Sequence, residues 1–218
     1  MTSDPKRFII FAMRRSGHHA VANWLKAQII EKIHVMDMCS EFNARIADID
    51  KRRPELSRMF IFENQSIEKT YPFTTDFSRT IIILRDPYNN IASYMRRFAV
   101  NEWNIKAIIS LWKTQADLFL DNKFYGISYN DWFKDVEYRK SICDELETNF
   151  TDNMINSVAK PGGGSSFDQM DYNGKAQEMD VLNRWKKVID EPVFKHVLQD
   201  QELKEYSDEI FGPIIEEK

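Results

Sequence analysis

The sequence predicts an α/β fold: a three-layer sandwich whose central parallel sheet has about four to five strands, flanked by helices. Two observations predict it. Short β-prone apolar runs alternate along the chain with longer stretches of helical periodicity. Those runs are apolar throughout, as in strands buried on both faces. A third observation bounds it, because 218 residues that are 43% hydrophobic and 13% aromatic suit one domain, residues 1–218, with a sizeable core.

Phe8-Ile9-Ile10-Phe11-Ala12 is the first strand, and Val21, Trp24, Leu25, Ile29 and Ile33 recur at the spacing of a helix from Gly17 to about Ile33. Met59-Phe60-Ile61-Phe62 is a second strand ending at Glu63-Asn64. Thr80-Ile81-Ile82-Ile83-Leu84 is a third, stopped by Arg85-Asp86-Pro87. Proline suits the first turn of a helix, where its missing N–H is not needed, so a helix runs from Pro87 to about Arg97. Ile108, Leu111, Trp112, Gln115, Leu118 and Phe119 mark a helix near 102–121, and Phe124 to Tyr129 is a fourth, weaker strand. Helical patterns follow at 134–149, 175–189 and 192–206. Pro161-Gly162-Gly163-Gly164-Ser165-Ser166 holds three of the seven glycines and is a loop. Right-handed crossovers bring every strand's C-terminal end to one edge, where ligands bind in such sheets.

Thirty basic residues against 34 acidic ones, a net charge of −4, do not make a general nucleic-acid or membrane binder. A local basic site for an anionic small molecule remains open. No stretch reaches the 18 apolar residues of a membrane span. Cys39 and Cys143 stand far apart without a CxxC pair or nearby His pair, which supports neither a zinc site nor a disulfide framework. The expectation is a soluble protein in a reducing, cytoplasmic compartment, with no metal.

The polar residues that end the first three strands should converge. After strand one comes Met13-Arg14-Arg15-Ser16-Gly17-His18-His19. A strand–loop–helix turn containing glycine aims backbone N–H groups and the helix dipole at one point, which suits phosphate or sulfate. Arg14 and Arg15 add charge and Ser16 a hydroxyl donor; the plainer alternative is an ordinary turn with two solvated arginines. It is not a Walker A loop, since a single glycine is followed by His18-His19 rather than Lys and a hydroxyl residue. Ordinary ATP chemistry is therefore disfavoured. After strand three, Arg85 and Ser93 lie eight residues apart and can grip one anion from two sides, by a guanidinium fork and a hydroxyl. Alternatively Asp86 caps the helix and Arg85 pairs with a carboxylate.

Together these motifs resemble the PAPS-dependent sulfotransferases, enzymes that use 3′-phosphoadenosine 5′-phosphosulfate (PAPS) and release 3′-phosphoadenosine 5′-phosphate (PAP). Arg14-Arg15-Ser16-Gly17 resembles that family's 5′-phosphosulfate loop, and Arg85-Asp86-Pro87 … Ser93 its 3′-phosphate motif. Glu63 after strand two and Tyr129-Asn130-Asp131-Trp132 after strand four match further landmarks. The similarity covers roughly residues 7–145 and implies a P-loop NTPase-like architecture. It also implies that Arg14, Arg15, Ser16, Gly17, His18 and His19 wrap the phosphosulfate, with Arg15 nearest the bridging oxygen. By the same resemblance Arg85 and Ser93 hold the 3′-phosphate, and Glu63 stands at the catalytic base.

The chain also departs from that pattern. His18-His19 replaces the hydroxyl pair of the cytosolic branch, and that branch's C-terminal Arg-Lys-Gly loop is missing. The Gly162, Gly163, Gly164 loop, flanked by Lys160 and Lys175, is the candidate substitute; the alternative is a plain surface loop. His18 and His19 either shape the loop or shuttle a proton near neutral pH. Glu63 is either the base or a buried partner of Arg14 or Arg85. Trp185 and Arg184 lie on a helical pattern with Met179, Leu182 and Ile189, where Trp185 reads as core. His34 and His196 are isolated. The expected reaction is sulfuryl transfer from PAPS to a small-molecule or carbohydrate acceptor, for which Phe98, Trp103, Tyr125 and Trp132 are candidate stacking residues. The other expectations are a metabolite kinase of related architecture and a non-catalytic PAP- or adenylate-binding module.

Overall fold

The computed structural model of the protein describes residues 5–29, 33–36, 57–64, 79–160 and 164–215. Five strands form one sheet: β1 (Arg7–Ala12), β2 (Ile33–Met36), β3 (Ser57–Glu63), β4 (Arg79–Leu84) and β5 (Tyr125–Ser128). Their order is β2-β3-β1-β4-β5, and every pairing is parallel. The architecture expected of the apolar runs is therefore the one that forms.

Side-chain alternation divides the sheet into two buried faces. Phe8, Ile10, Met59, Ile61, Ile81, Ile83 and Ile127 pack against α1 (His18–Gln28), α4 (Tyr129–Lys134) and α5 (Val136–Glu145) through Val21, Trp24, Leu25, Trp132 and Ile142. On the other face Ile9, Phe11, Phe60, Phe62 and Ile82 meet Leu118 and Phe119 of α3 (Ile105–Leu120). Around α3 gather α2 (Pro87–Arg97), α6 (Pro192–Leu198) and α7 (Gln201–Phe211), burying Tyr88, Ile91, Ile109, Trp112, Phe194 and Leu203. Each fully buried side chain of this size contributes about 1.5–3 kcal/mol, so the strands are fixed from both sides.

Several predicted elements differ in detail, each for a local reason. The first helix ends at Gln28, and Ile33 starts a strand instead, pairing with Ser57 of β3. The side chain of Gln28 turns back to the Trp24 carbonyl and accepts from the Thr151 N–H. The pattern at 134–149 divides, because Asp135 caps a new helix by accepting from the Glu137 N–H; α4 begins already at Tyr129, capped by Ser128. The pattern at 192–206 divides in the same way at Asp200, which accepts from the Leu203 N–H.

The pattern at 175–189 is not an α-helix. It forms two short 3₁₀ turns, Ala176–Glu178 and Arg184–Lys187. The carbonyls of Val181 and Leu182 are taken by the side chains of Arg85 and Asn89, so they are not free for a helical ladder. Trp185 is buried in the core, as expected of it. Cys143 is a buried free thiol, while Cys39 lies outside the described residues.

Gly17 sets the turn that the rest of the site is built on. Its φ is +83°, and a Cβ placed there would stand 2.2 Å from the Tyr129 ring. Gly17→Ala therefore combines left-handed strain of order 1–3 kcal/mol with a displaced aromatic ring. At this chain length each kcal/mol shifts Tm by about 2–4 °C. We expect a loss of several degrees by circular dichroism, and an unchanged Tm would contradict the packing of this turn.

Candidate anion-binding active site

Parallel pairing in register places Glu63 and Ile83 opposite Ala12, and Ser128 opposite Leu84. The segments after β1, β3, β4 and β5 therefore leave from one edge and meet there. The turn after β1 is closed by a Ser16 N–H bond to the Met13 carbonyl at 3.2 Å. Arg15 adopts φ 67° and Gly17 φ 83°, a conformation rare for a residue such as arginine. It is held by amides on both sides. Asn64 accepts from the Arg14 N–H at 2.8 Å, and Asn90 donates to the Arg14 carbonyl at 2.9 Å. Helix α1 starts at His18 with no side-chain cap, which leaves its first N–H groups suited to an anion.

Arg85 is 2% exposed. Its Nη1 donates to Ser93 Oγ at 3.1 Å and to the Arg15 carbonyl at 3.3 Å, and its Nη2 donates to the Val181 carbonyl. The guanidinium lies 5.1 Å from the Tyr129 ring centroid, and its Nε is buried without a hydrogen-bond partner. Burial pulls its pKa down to about 10; Arg184 and Arg15 push the same way, against Tyr129 and Asp86. Asp86 makes no ion pair with it. Instead Asp86 caps α2 by accepting from Asn89 N–H at 2.8 Å and from the Asn130 amide at 3.0 Å.

Arg14 and His18 both hold Glu63. Arg14 Nε stands 3.2 Å from Oε2 and His18 Nε2 stands 2.9 Å from Oε1. His18 Nδ1 lies 3.2 Å from Ser16 Oγ, giving a chain from Ser16 through His18 to Glu63. Burial alone would raise the Glu63 carboxyl. The His18 hydrogen bond and the nearby charge of His18, His19 and Arg14 outweigh it and hold the group below its ordinary range. Arg15 donates to the Gly164 carbonyl at 2.9 Å and is pulled down by burial, then by Arg184 and Arg97.

These groups line a cavity of about 300 Å³. Arg14, Arg15, Gly17, His18 and His19 face it from the first turn, and Glu63, Arg85, Ser93 and Gly164 also lie on its wall. Ser16 is fully buried and reaches His18 rather than the cavity, with its Oγ 3.2 Å from His18 Nδ1. Gly162 and Gly163 lie outside the described residues. Of the candidate stacking residues, Phe98 and Trp132 line the cavity; Trp103 is 93% exposed, and Tyr125 sits in β5. His34 is exposed in β2 and His196 is half-buried in α6. Ligand atoms of His18, His19 and Glu63 come within 4.8 Å of one another. The arginines around them favour an anion over a cation at this point.

No family model and no curated protein sequence matches the chain. Solved structures do. One is mouse sulfotransferase SULT7A1 complexed with PAP, with a TM-score of 0.53 and 16% identity over 95% of this chain and 90% of that one. Another is the sulfotransferase domain of the olefin synthase of Synechococcus PCC 7002, with a TM-score of 0.53 and 15% identity over 85% of this chain and 90% of that one. The chain has the sulfotransferase fold. Within that fold, sequence reading missed one cavity residue of consequence, Arg184. Its spacing with Met179, Leu182 and Ile189 looked like a core helix, and its cavity position depends on a 3₁₀ turn that periodicity does not reveal.

The depressed pKa of Glu63 makes a prediction about acid stability. A carboxylate held below its unfolded pKa adds stability that is present above the unfolded value, near 4.5, and disappears as pH falls through the folded value. Glu63→Gln should therefore melt below the wild type at pH 7. The difference should narrow as pH falls below about 4.5, in melting curves recorded from pH 7 to 3. A difference independent of pH would mean that Glu63 is not held as its ionised form.

Proposed function

We propose that the protein is a single-domain sulfotransferase of a reducing, cytoplasmic compartment. It would move the sulfuryl group of PAPS to a hydroxyl or amine of a carbohydrate or small metabolite. The single observation that carries this function is the buried Arg85–Ser93 pair, 3.1 Å apart, facing the same cavity as the uncapped start of α1. A donor with phosphate at one end and phosphosulfate at the other meets both features. The PAP named with the mouse structure carries a phosphate at each end and would meet the same two features. Arg85, with a buried unsatisfied Nε, suits a multiply charged oxyanion.

In the proposed reaction a bond forms between the acceptor oxygen and sulfur while the bond from sulfur to the bridging phosphate oxygen breaks. The transition state is loose, with demands like those of phosphoryl transfer. Charge grows on the departing phosphate, where Arg15, Arg14 and the first N–H groups of α1 stabilise it. The acceptor's proton passes to Glu63, which the Arg14 and His18 contacts keep ionised and oriented. His19, His18 and Gly17 shape the loop around the phosphosulfate.

PAP should bind tightly without magnesium in isothermal titration calorimetry, and ADP much more weakly. Arg85→Ala should weaken PAP by about 2 kcal/mol or more, and Ser93→Ala by about 1 kcal/mol. Equal affinity for ADP, or unchanged PAP affinity in folded Arg85→Ala, would overturn the donor site. Glu63→Gln should keep PAP affinity while sulfate transfer from labelled PAPS across an acceptor panel falls ~10²–10⁴-fold. Near-normal turnover in that variant would remove Glu63 from the base position.

A further inference from the structure

Arg184 is 5% exposed, lines the cavity and is held by a small device of its own. Ser165 and Gln169 exchange backbone hydrogen bonds at 3.0 and 3.1 Å, closing a short turn with Phe167 and Asp168 at its tip. Arg184 Nη2 donates to Ser165 Oγ at 2.7 Å and to Asp168 Oδ2 at 2.9 Å. Its guanidinium lies 5.2 Å from the Phe167 ring centroid. Its Nε is buried without a hydrogen-bond partner, and so is the neighbouring Ser166 Oγ, on another cavity-lining residue. Two orphaned donors of this kind destabilise the fold, unless something that accepts hydrogen bonds occupies the cavity.

Charge makes the same demand. Burial depresses the pKa values of both Arg15 and Arg85, and repulsion from Arg184 adds to each. Five arginines line the cavity; three of them, Arg15, Arg85 and Arg184, act on one another's charge, and Asp168 supplies Arg184 with its carboxylate.

We propose that Arg184, with Ser165 and Ser166, forms a third arm of the anion site, and that Asp168 is an internal stand-in for the ligand's anion. When a polyanion enters, Arg184 turns its fork from the Asp168 carboxylate to the ligand. The proton count does not change, because the exchange replaces one ion pair by another. Asp168 is then a residue that sets affinity by competing for Arg184. This inference rests on the sulfotransferase reading for its choice of polyanion.

The test is PAP titration by calorimetry on the intact chain, with melting curves as the folding control. Arg184→Met should weaken PAP binding about tenfold or more, and Arg184→Lys by less, because charge remains and the fork is lost. Asp168→Asn should act in the opposite direction. It should lower Tm without ligand, because it leaves Arg184 buried and unpaired. It should also tighten PAP severalfold and enlarge the PAP-induced rise in Tm. A purely structural ion pair predicts otherwise, since either variant would then disorganise the wall and weaken PAP. Weaker PAP binding by folded Asp168→Asn, or unchanged binding by folded Arg184→Met, would overturn the proposal. Failure of the wild type to bind PAP is a separate outcome that sinks the sulfotransferase reading. Inorganic pyrophosphate then replaces PAP as the probe of the three-arginine clamp, with the same opposite signs expected and the same two results overturning it.

Discussion

A guanidinium buried to 2% exposure at the end of a central strand constrains everything around it. Arg85 leaves β4 where the sheet ends, and removing its charge from water is costly without close partners. The chain answers with neutral acceptors. Ser93 comes from α2, the Arg15 carbonyl from the first turn, and the Val181 carbonyl from a segment 96 residues away. The indole of Trp112 fixes the Arg85 carbonyl at 2.9 Å, which ties α3 to the same point. Because none of these partners is a carboxylate, the positive charge is not cancelled and stays available to a ligand.

Neutral side-chain amides do most of the holding. Asn64 and Asn90 brace the backbone of Arg14. Asn89 joins Asp86 to the Leu182 carbonyl, and its Oδ1 accepts from the Trp185 N–H at 3.2 Å. Asn130 closes the same network from α4. An amide both donates and accepts, so it can fix two strand-end segments at once and add no charge to the cavity. This is how a turn with a left-handed arginine is kept in place: the strain of Arg15 is over-determined by its neighbours. The same network explains why residues 179–185 run as turns rather than an α-helix, for the carbonyls of Val181 and Leu182 are held by Arg85 and Asn89.

Much of this was legible in the chain. Runs such as Ile81-Ile82-Ile83-Leu84 admit little besides a strand buried on both faces, and the residues that end them fall on the active edge by topology alone. The pairing of Arg85 with Ser93 could be read from a spacing of eight along a helix that begins at proline. Contacts that cross long stretches of sequence could not. The link from Arg15 to the Gly164 carbonyl spans 149 residues, and nothing local at either end announces it. The helix over 175–189 failed for the same reason: an apolar period of 3.6 was present, but remote side chains claimed the carbonyls that a helix would need. Glu63 lay between two readings, base or ion-pair partner. The geometry shows the contacts of the second, with Arg14 and His18, on a carboxylate that still faces the cavity.

The placing of Glu63 is set against the charge balance of the cavity. Arg15, Arg85 and Arg184 converge on it, and Arg85 in particular is held there by uncharged groups. Like charges in a poorly solvated space repel, so this cluster lowers the stability of the fold. Anything that binds the folded chain alone returns that stability in proportion to ligand concentration over Kd. Glu63 meets the first turn directly, through His18 on one oxygen and on the other through Arg14, which is only partly buried itself. Were the carboxylate moved among Arg15, Arg85 and Arg184, it would neutralise part of the positive charge that faces the cavity. Placed one strand away, with His18 fixing one oxygen and Arg14 the other, it stays ionised beside an anion site without filling it. The order of strands in the sheet, with β3 beside β1 and β4 on the other side, is what separates the two charges by the width of the first turn.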